Sequence, residues 1–555
     1  MNYIFIALEG IQQGLGTGHV VRVKRIIESL VAFDYPEKPK ITFITNNPNN
    51  GVGYNHIFIN DFDQASSVVK NIINSEIVDV VFFDCLDYCQ DLYIDCRDKS
   101  IITIGIDTSP LEASTLDLLV NPVIKNEFSN HYGNLYSIHY ETNTKESIFK
   151  AGSRKSIFIC FGGIDYQSHL ENLLPYVSSI PDNYDINIVA SNSDSVDIAS
   201  NRKENITIYY QPDNFFELLK QSHMAIISGG ILLQEAMYLG IPAYVVPQYD
   251  HQLNIAVQQK EKGMILGVSQ LNPDYEELVN IFSNSINDKV FAEAVSLKAR
   301  SSDDGFGLRR IASIARVYDY LPWDSDFFKK EIFMLNTKCY NNRVKNKLDS
   351  LIKNKKTDLI YFLCPANNKS SINLAQNDGF VKVDDRLTYS MTPPDFNAKN
   401  FIGDAIVQRS LSEDIPDLML LADNSNWITR YRNDPKFSNE DMNGFYSGWV
   451  ARSVVGEVDD LVFHIEYDGK IYGFITLKKS GINFGSIGLI TVAKEMEGKG
   501  FGSTLTSHAV KYMFSNLDCA RIEVITQENN TSACVMYEKI GFKPFNHSIY
   551  LHKWT

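Results

Sequence analysis

Two series of short apolar runs, spaced by stretches of helical character, constrain this chain more than anything else in it. The first series occupies residues 4–8, 41–44, 78–83, 101–106 and 116–120, and the second 156–161, 186–190, 206–210, 224–227 and 243–246. Runs this short and apolar read as strands buried on both faces, and strands separated by a helix pair in parallel. Several end in Asp, Asn or Gly, where an open α/β sheet presents its ligand crevice. Two series in tandem predict two Rossmann-like domains, over 1–150 and 151–318, facing each other across a cleft. A helix within 301–320 is expected to return over the first half. The pattern then changes at Leu321-Pro322-Trp323 to an α+β order over 319–555.

Two or three domains suit 555 residues, too many for one ordinary core. Hydrophobic and charged fractions of 44% and 21% are those of a soluble globular protein. A net charge of -15 argues against nucleic-acid or anionic-membrane partners, so phosphorylated ligands would be held by local dipoles. No apolar run reaches the ~20 residues that span a bilayer, and the N-terminus lacks the marks of a signal peptide. Eight cysteines are sparse, with Cys85, Cys89 and Cys96 the one local group. They predict free thiols, no metal and a cytoplasmic setting. The basic stretch 343–356 reads as a solvated helix face. Oligomeric state stays open.

Glycine loops mark where ligands would sit. Gly14-Leu15-Gly16-Thr17-Gly18-His19 follows the first apolar run, and Glu497-Gly498-Lys499-Gly500-Phe501-Gly502 follows the strand-like 487–492. A strand ending in such a turn and opening a helix aims backbone N–H groups and the positive helix end at an anion. Phe161-Gly162-Gly163 and Ser228-Gly229-Gly230 repeat the arrangement in the second half. Glu235, a turn and a half further on, is placed to accept hydrogen bonds from ribose hydroxyls. His19 is either a base working near pH 7 or a packed helix-start residue. Asp84 and Asp107, at strand ends, either face a ligand or cap a helix.

Gly16-Thr17-Gly18-His19-Val20-x-Arg22, Phe83-Asp84, Asp107, Asn121, Phe161-Gly162-Gly163-x-Asp165 and Ser228-Gly229-Gly230…Glu235-Ala236 together resemble nucleotide-sugar enzymes of the glycosyltransferase-B fold. Within that group they are most similar to the UDP-sugar hydrolases of pseudaminic acid biosynthesis, over roughly residues 1–290. The resemblance implies that His19 is the base for water attack at the anomeric carbon. It assigns UDP and sugar contacts to Gly16, Gly18, Asp84, Asp107, Asn121, Gly162, Gly163, Ser228, Gly229, Gly230 and Glu235.

The run 487–492, the glycine loop 497–502, Asn530-Thr-Ser-Ala533 and Tyr537…Gly541-Phe542 resemble the GNAT acetyltransferases. Over 320–555 they look like members acting on 4-amino-4,6-dideoxy nucleotide sugars, through Trp323-Asp324-x-x-Phe327-Phe328, Gly379-Phe380, Tyr431-Arg432, Phe445-Tyr446-x-x-Trp449 and Tyr550-Leu551-x-x-Trp554. The resemblance implies acetyl-CoA as cosubstrate, held by Ile490, Thr491, Val492, Gly498, Lys499, Gly500, Phe501, Gly502 and Asn530. It makes Tyr537 the acid that reprotonates the CoA thiolate. Glu497 departs from the Gln or Arg that usually opens the loop. Trp323 and Trp449 read as core anchors. The halves together imply N-acetylation of a UDP-4-amino-4,6-dideoxy-N-acetyl-altrosamine-like sugar, followed by its hydrolysis to UDP and free 2,4-diacetamido-2,4,6-trideoxy sugar. The alternatives are a glycosyltransferase fused to the acetyltransferase, or a docking module that only holds nucleotide sugar; UDP and dTDP are not distinguished.

Overall fold

The computed structural model describes residues 2–7, 18–32, 39–46, 54–60, 62–84, 90–99, 101–107, 116–122, 131–139, 156–163, 165, 167–190, 204–398, 405–438, 442 and 444–555. Gly16, Cys85 and Cys89 lie outside them. The chain divides into one unit that ends at Ala315 and a second that runs Arg316–Thr555. Tyr318–Tyr320 pairs antiparallel with Ile332–Leu335, so residues 316–318 lie with the C-terminal unit, not the N-terminal one as drawn from sequence.

The N-terminal unit holds two parallel sheets. The first runs Asn55–Phe58, Lys40–Thr45, Asn2–Ala7, Val80–Asp84, Ile102–Ile106, Leu118–Asn121, His131–Tyr132. The second runs Ile206–Tyr210, Asp185–Ala190, Ser156–Cys160, Met224–Ile227, Ala243–Val245, Gly267–Val268. Each expected strand is present, with ends shifted by about two residues or fewer. Tyr3 to Ala7 are at most 1% exposed, as a strand covered by helices on both faces requires. The strands not foreseen, such as Asn55–Phe58, are short and lie at or beside sheet edges, where half-exposed positions break the apolar run.

The returning helix is Gly307–Ala315, shorter than its expected span. Asp303 and Asp304 turn the chain before it by accepting from Gly305 N and Phe306 N. The helix packs on Gly18–Val31, and its first residue must be glycine: a Cβ there would lie 2.0 Å from Ser137 O.

The C-terminal unit is one mixed sheet. Its order is Tyr318–Tyr320, Ile332–Leu335, Leu359–Pro365, Lys543–Trp554, Val381–Met391, Arg521–Gln527, Phe484–Val492, Lys470–Ser480, Leu461–Tyr467, Ile406–Arg409. Helices Phe501–Ser515 and Thr531–Ile540 bury Leu505, Ala509, Val510, Met513, Tyr537 and Ile540 with that sheet in one core. Trp323 stacks on Phe327 and meets Phe445 edge-on, in a second, aromatic core. Trp449 donates to Asp459 at 2.9 Å. Asn342–Asn354 buries only Val344, Leu348 and Leu351, and its basic residues face outward.

Candidate functional site

In the first sheet the strand order reverses beside Asn2–Ala7, and Val80–Asp84 is its neighbour across that switch. Asp84, the last residue of its strand, is fully buried there. His19 and Arg22, in the first turn and a half of Gly18–Val31, converge on it. His19 Nδ1 lies 2.6 Å from Asp84 Oδ1, and Arg22 Nε donates to Asp84 Oδ2 at 2.7 Å. Arg22 also donates to Asp107 at 3.1 Å. Burial alone would raise the Asp84 pKa, but the charge of Arg22 and the contact with His19 outweigh it and hold the carboxyl below its usual range. When His19 is neutral, an ionised Asp84 fixes its one ring proton on Nδ1. Nε2 is then left with a free lone pair, the arrangement a general base needs. Arg22 NH2 also approaches Nδ1, at 3.1 Å; with Nδ1–H directed at Asp84, that contact is close packing. Asp107 follows its strand in a left-handed conformation, φ 54°, and keeps a third of its side chain open to solvent.

The second sheet switches between Ser156–Cys160 and Met224–Ile227, and both expected glycine turns stand at that point. Gly162 has φ 91° and Gly230 φ 83°, which side chains rarely tolerate. Gly229 is glycine for another reason: its missing Cβ leaves room for Gln252, whose Cβ would lie 2.8 Å away. The N-cap of Ile231–Leu239 is Gly230, which has no side chain to cap with, and the first N–H groups of the helix face the turn. That helix start adjoins the histidine centre, since a Cβ on Gly18 would touch Ile231. Ser228 is buried beside the turn, Gly163 is exposed, and Asn121 is buried where its strand ends. Glu235 is 2% exposed and its Oε1 accepts from Arg25 at 2.8 Å. The carboxylate expected to meet ribose thus ties helix Ile231–Leu239 to helix Gly18–Val31.

In the C-terminal unit the site is made of backbone. Phe484–Ile487 pairs parallel with Arg521–Val524, and past that point the two strands are no longer paired. Opposite, the register with Lys470–Ser480 shifts between Ile475 and Leu477, and Leu489 N donates to Thr476 Oγ1 at 2.8 Å. Gly488 allows this bulge, because a Cβ would lie 2.6 Å from Thr476 Oγ1. Ile490, Thr491 and Val492 follow, half-buried, on the splayed edge. Next comes the loop, with Gly498 at φ 71° and Gly500 at φ 92°, and then Phe501–Ser515, whose N-terminus no side chain caps. Gly502 sits against Met536, and Lys499 is exposed. A strand that has lost its parallel partner past Ile487 and leads to a helix with glycine at its N-cap suits a ligand with a peptide-like arm and a diphosphate.

Asn530 caps Thr531–Ile540, accepting from Ala533 N. Tyr537 is 2% exposed between Tyr389 and Phe542, and burial pushes its phenol above its usual pKa. It therefore carries its proton at neutral pH. Among the described residues, Cys160, Cys364 and Cys534 carry free thiols. Asp385, Glu528 and His547 lie close enough together to share a cation, although Lys382 and His547 already engage Asp385.

Several residues of these sites were not assigned from sequence. Arg22 and Arg25 are buried on one face of Gly18–Val31, three positions apart, a pattern visible in principle. His251 is solvent-accessible, yet protein surrounds it closely enough to hold its pKa below the usual value; nearby Asp107 opposes this, while His19 and Arg22 add to it. It stacks on Tyr249 just beyond the strand Ala243–Val245. A polar Tyr-Asp-His-Gln run after a buried strand was its available signal.

Residues 426–542 match the acetyltransferase (GNAT) family, so the C-terminal unit carries a GNAT domain after a unit built on two parallel sheets. The N-terminal half is 24% identical over 331 residues to the spore coat polysaccharide biosynthesis protein SpsG of Bacillus subtilis, covering 54% of this chain and 94% of SpsG. MJ1062 of Methanocaldococcus jannaschii is 27% identical over 269 residues, 43% of this chain and 54% of its own. The MnaA–UDP structure from S. aureus is 14% identical with a TM-score of 0.41, covering 56% of this chain and 95% of that one. No helix among the described residues is long and apolar enough to cross a membrane.

Proposed function

We propose that this chain is a bifunctional enzyme of pseudaminic acid biosynthesis. It N-acetylates a UDP-4-amino-4,6-dideoxy-N-acetyl-altrosamine-like sugar with acetyl-CoA, then hydrolyses the product to UDP and free 2,4-diacetamido-2,4,6-trideoxy sugar. The observation that carries the second step is the 2.6 Å contact between His19 Nδ1 and buried Asp84, beside the uncapped turn Ser228–Gly230. His19 Nε2 takes a proton from water as its oxygen attacks the anomeric carbon. The bond from that carbon to the diphosphate breaks, and the departing charge is received by the helix at Gly230. UDP leaves easily, so a base and an anion site suffice.

For the first step, Ile490, Thr491 and Val492 hold the pantetheine amides, and Gly498 to Gly502 hold the pyrophosphate. The substrate amine attacks the thioester carbonyl, the C–S bond breaks, the thiolate takes the proton of Tyr537, and the proton the amine gives up passes to solvent, from which the phenolate is reprotonated. Burial leaves that phenol fully protonated and makes it a weak acid, so transfer depends on its approach to sulfur. Mass spectrometry in 18O-water tests both steps. With acetyl-CoA, the amino sugar nucleotide should gain an acetyl group and then yield free sugar carrying 18O at C1. Intact acetylated nucleotide would leave the N-terminal half a docking module, and turnover only with an added acceptor would make it a glycosyltransferase.

A further inference from the structure

We propose that a cavity in the C-terminal unit, lined by Asp423, Ser425, Trp427, Arg432 and Tyr446, binds the amino-sugar nucleotide, with the diphosphate on Arg432 and the sugar amine towards Thr491. This deepens the acetyltransferase reading and rests on it. The cavity has a volume of about 470 Å3, within the range of small-molecule sites. Ser425 Oγ lies 2.7 Å from Thr491 Oγ1, so the cavity wall joins the strand assigned to acetyl-CoA. An amine bound there reaches a thioester on that strand without crossing the sheet.

The neighbouring arginines divide their work. Arg430 lies over Tyr431, Tyr550 and Tyr361, at 4.3, 4.5 and 5.0 Å, and is 3.8 Å from Asp324. It is a fixture of the aromatic core. Arg432, two positions on, is exposed and lines the cavity. It donates to the neutral Asn426 Oδ1 at 2.5 Å, and no carboxylate among the described residues pairs with it. A guanidinium fork that no described carboxylate engages matches a diphosphate. Trp427 stacks on Tyr446 at 4.4 Å, and its Nε1 is tied to Ala422 O at 2.8 Å, giving a rigid π-surface for the pyrimidine or the sugar ring. Among the described lining residues Asp423 supplies the one carboxylate, suited to the ammonium of the amino sugar.

All four tryptophans, Trp323, Trp427, Trp449 and Trp554, belong to this unit, so their emission reports on it. Titrating the full-length protein with UDP should quench that emission saturably. Trp427→Phe should remove most of the quenching. Arg432→Ala should weaken the midpoint about tenfold, with Arg432→Lys in between, because lysine keeps the charge and loses the fork. In turnover, Arg432→Ala should raise KM for the amino-sugar nucleotide by a similar factor and leave KM for acetyl-CoA unchanged. No quenching, or a midpoint indifferent to Arg432, overturns the assignment. Arg432-dependent quenching without acetylation would keep the cavity and reject the reaction. Acetylation by Arg432→Ala at the wild-type KM would keep the reaction and reject the cavity.

Discussion

The histidine centre and the acetyl-CoA loop are built from different materials. His19, Asp84, Arg22 and Asp107 are side chains from three chain segments, held by charge. The bulge at Gly488 and the turns at Gly498 and Gly500 are backbone, held by the absence of side chains. A site of the first kind is lost by removing an atom. One of the second kind is lost by adding one.

The sharpest test of that contrast is His19→Gln, which keeps much of the bulk and removes the base. UDP release from acetylated UDP-sugar should fall ~10³-fold while acetylation proceeds at the wild-type rate. Comparable release by folded His19→Gln would move the base to Asp107 or His251.

Buried carboxylates divide the same way. Asp84 is compensated and sits low. Asp384 is raised to about 6, chiefly by burial, with Gln527, the backbone N–H of Asp385 and Arg430 opposing it only in part. A raised carboxyl binds its proton more tightly folded than unfolded, so stability falls as pH rises through that window. Between about pH 4 and 6 the wild type should lose up to ~3 kcal/mol relative to Asp384→Asn, read from urea unfolding at each pH. Parallel curves for the two proteins would show that burial does not raise the Asp384 carboxyl.

Tyr537→Phe is the exception inside the backbone-built site, since it deletes one hydroxyl. We expect kcat for acetylation to fall ~10²-fold with KM for acetyl-CoA unchanged. Wild-type turnover would return the ring to packing alone. The mildest pair concerns the loop itself. Gly500→Val, forced to φ 92°, should raise KM for acetyl-CoA about tenfold, whereas Lys499→Ala should change it less than about threefold. The reverse order would show that charge, not backbone, holds the pyrophosphate.

The parts of this molecule legible in sequence are those that depend on neighbours along the chain. Buried strands announce themselves as unbroken apolar runs, and turns as glycines; the half-exposed strand Asn55–Phe58 does neither. That His19 and Asp84 belong together is foreshadowed only by the resemblance that carries both, since one opens a helix and the other ends a strand. Their contact spans 65 positions, and that of Arg25 with Glu235 spans 210, distances no spacing rule reaches. Glu235 was correctly placed on its helix, but the cation that occupies it could not be seen. Asn530 and Tyr537 show the opposite difficulty. Their motif is visible, while the cap and the burial that modify their chemistry emerge only from packing.

The close seat of Gly307 against Ser137 bears on how the chain is made. Val20, Val23, Ile26, Ile27 and Leu30 belong to the first helix synthesised, yet Ile311, Ala312, Ile314 and Ala315, which pack on that helix, come almost three hundred residues later. At ~5–20 residues per second, that leaves an apolar face uncovered for tens of seconds on the ribosome. A nascent chain stalled at residue 300 should still be bound by chaperones, and release should coincide with emergence of 307–315, well before the acetyltransferase is complete.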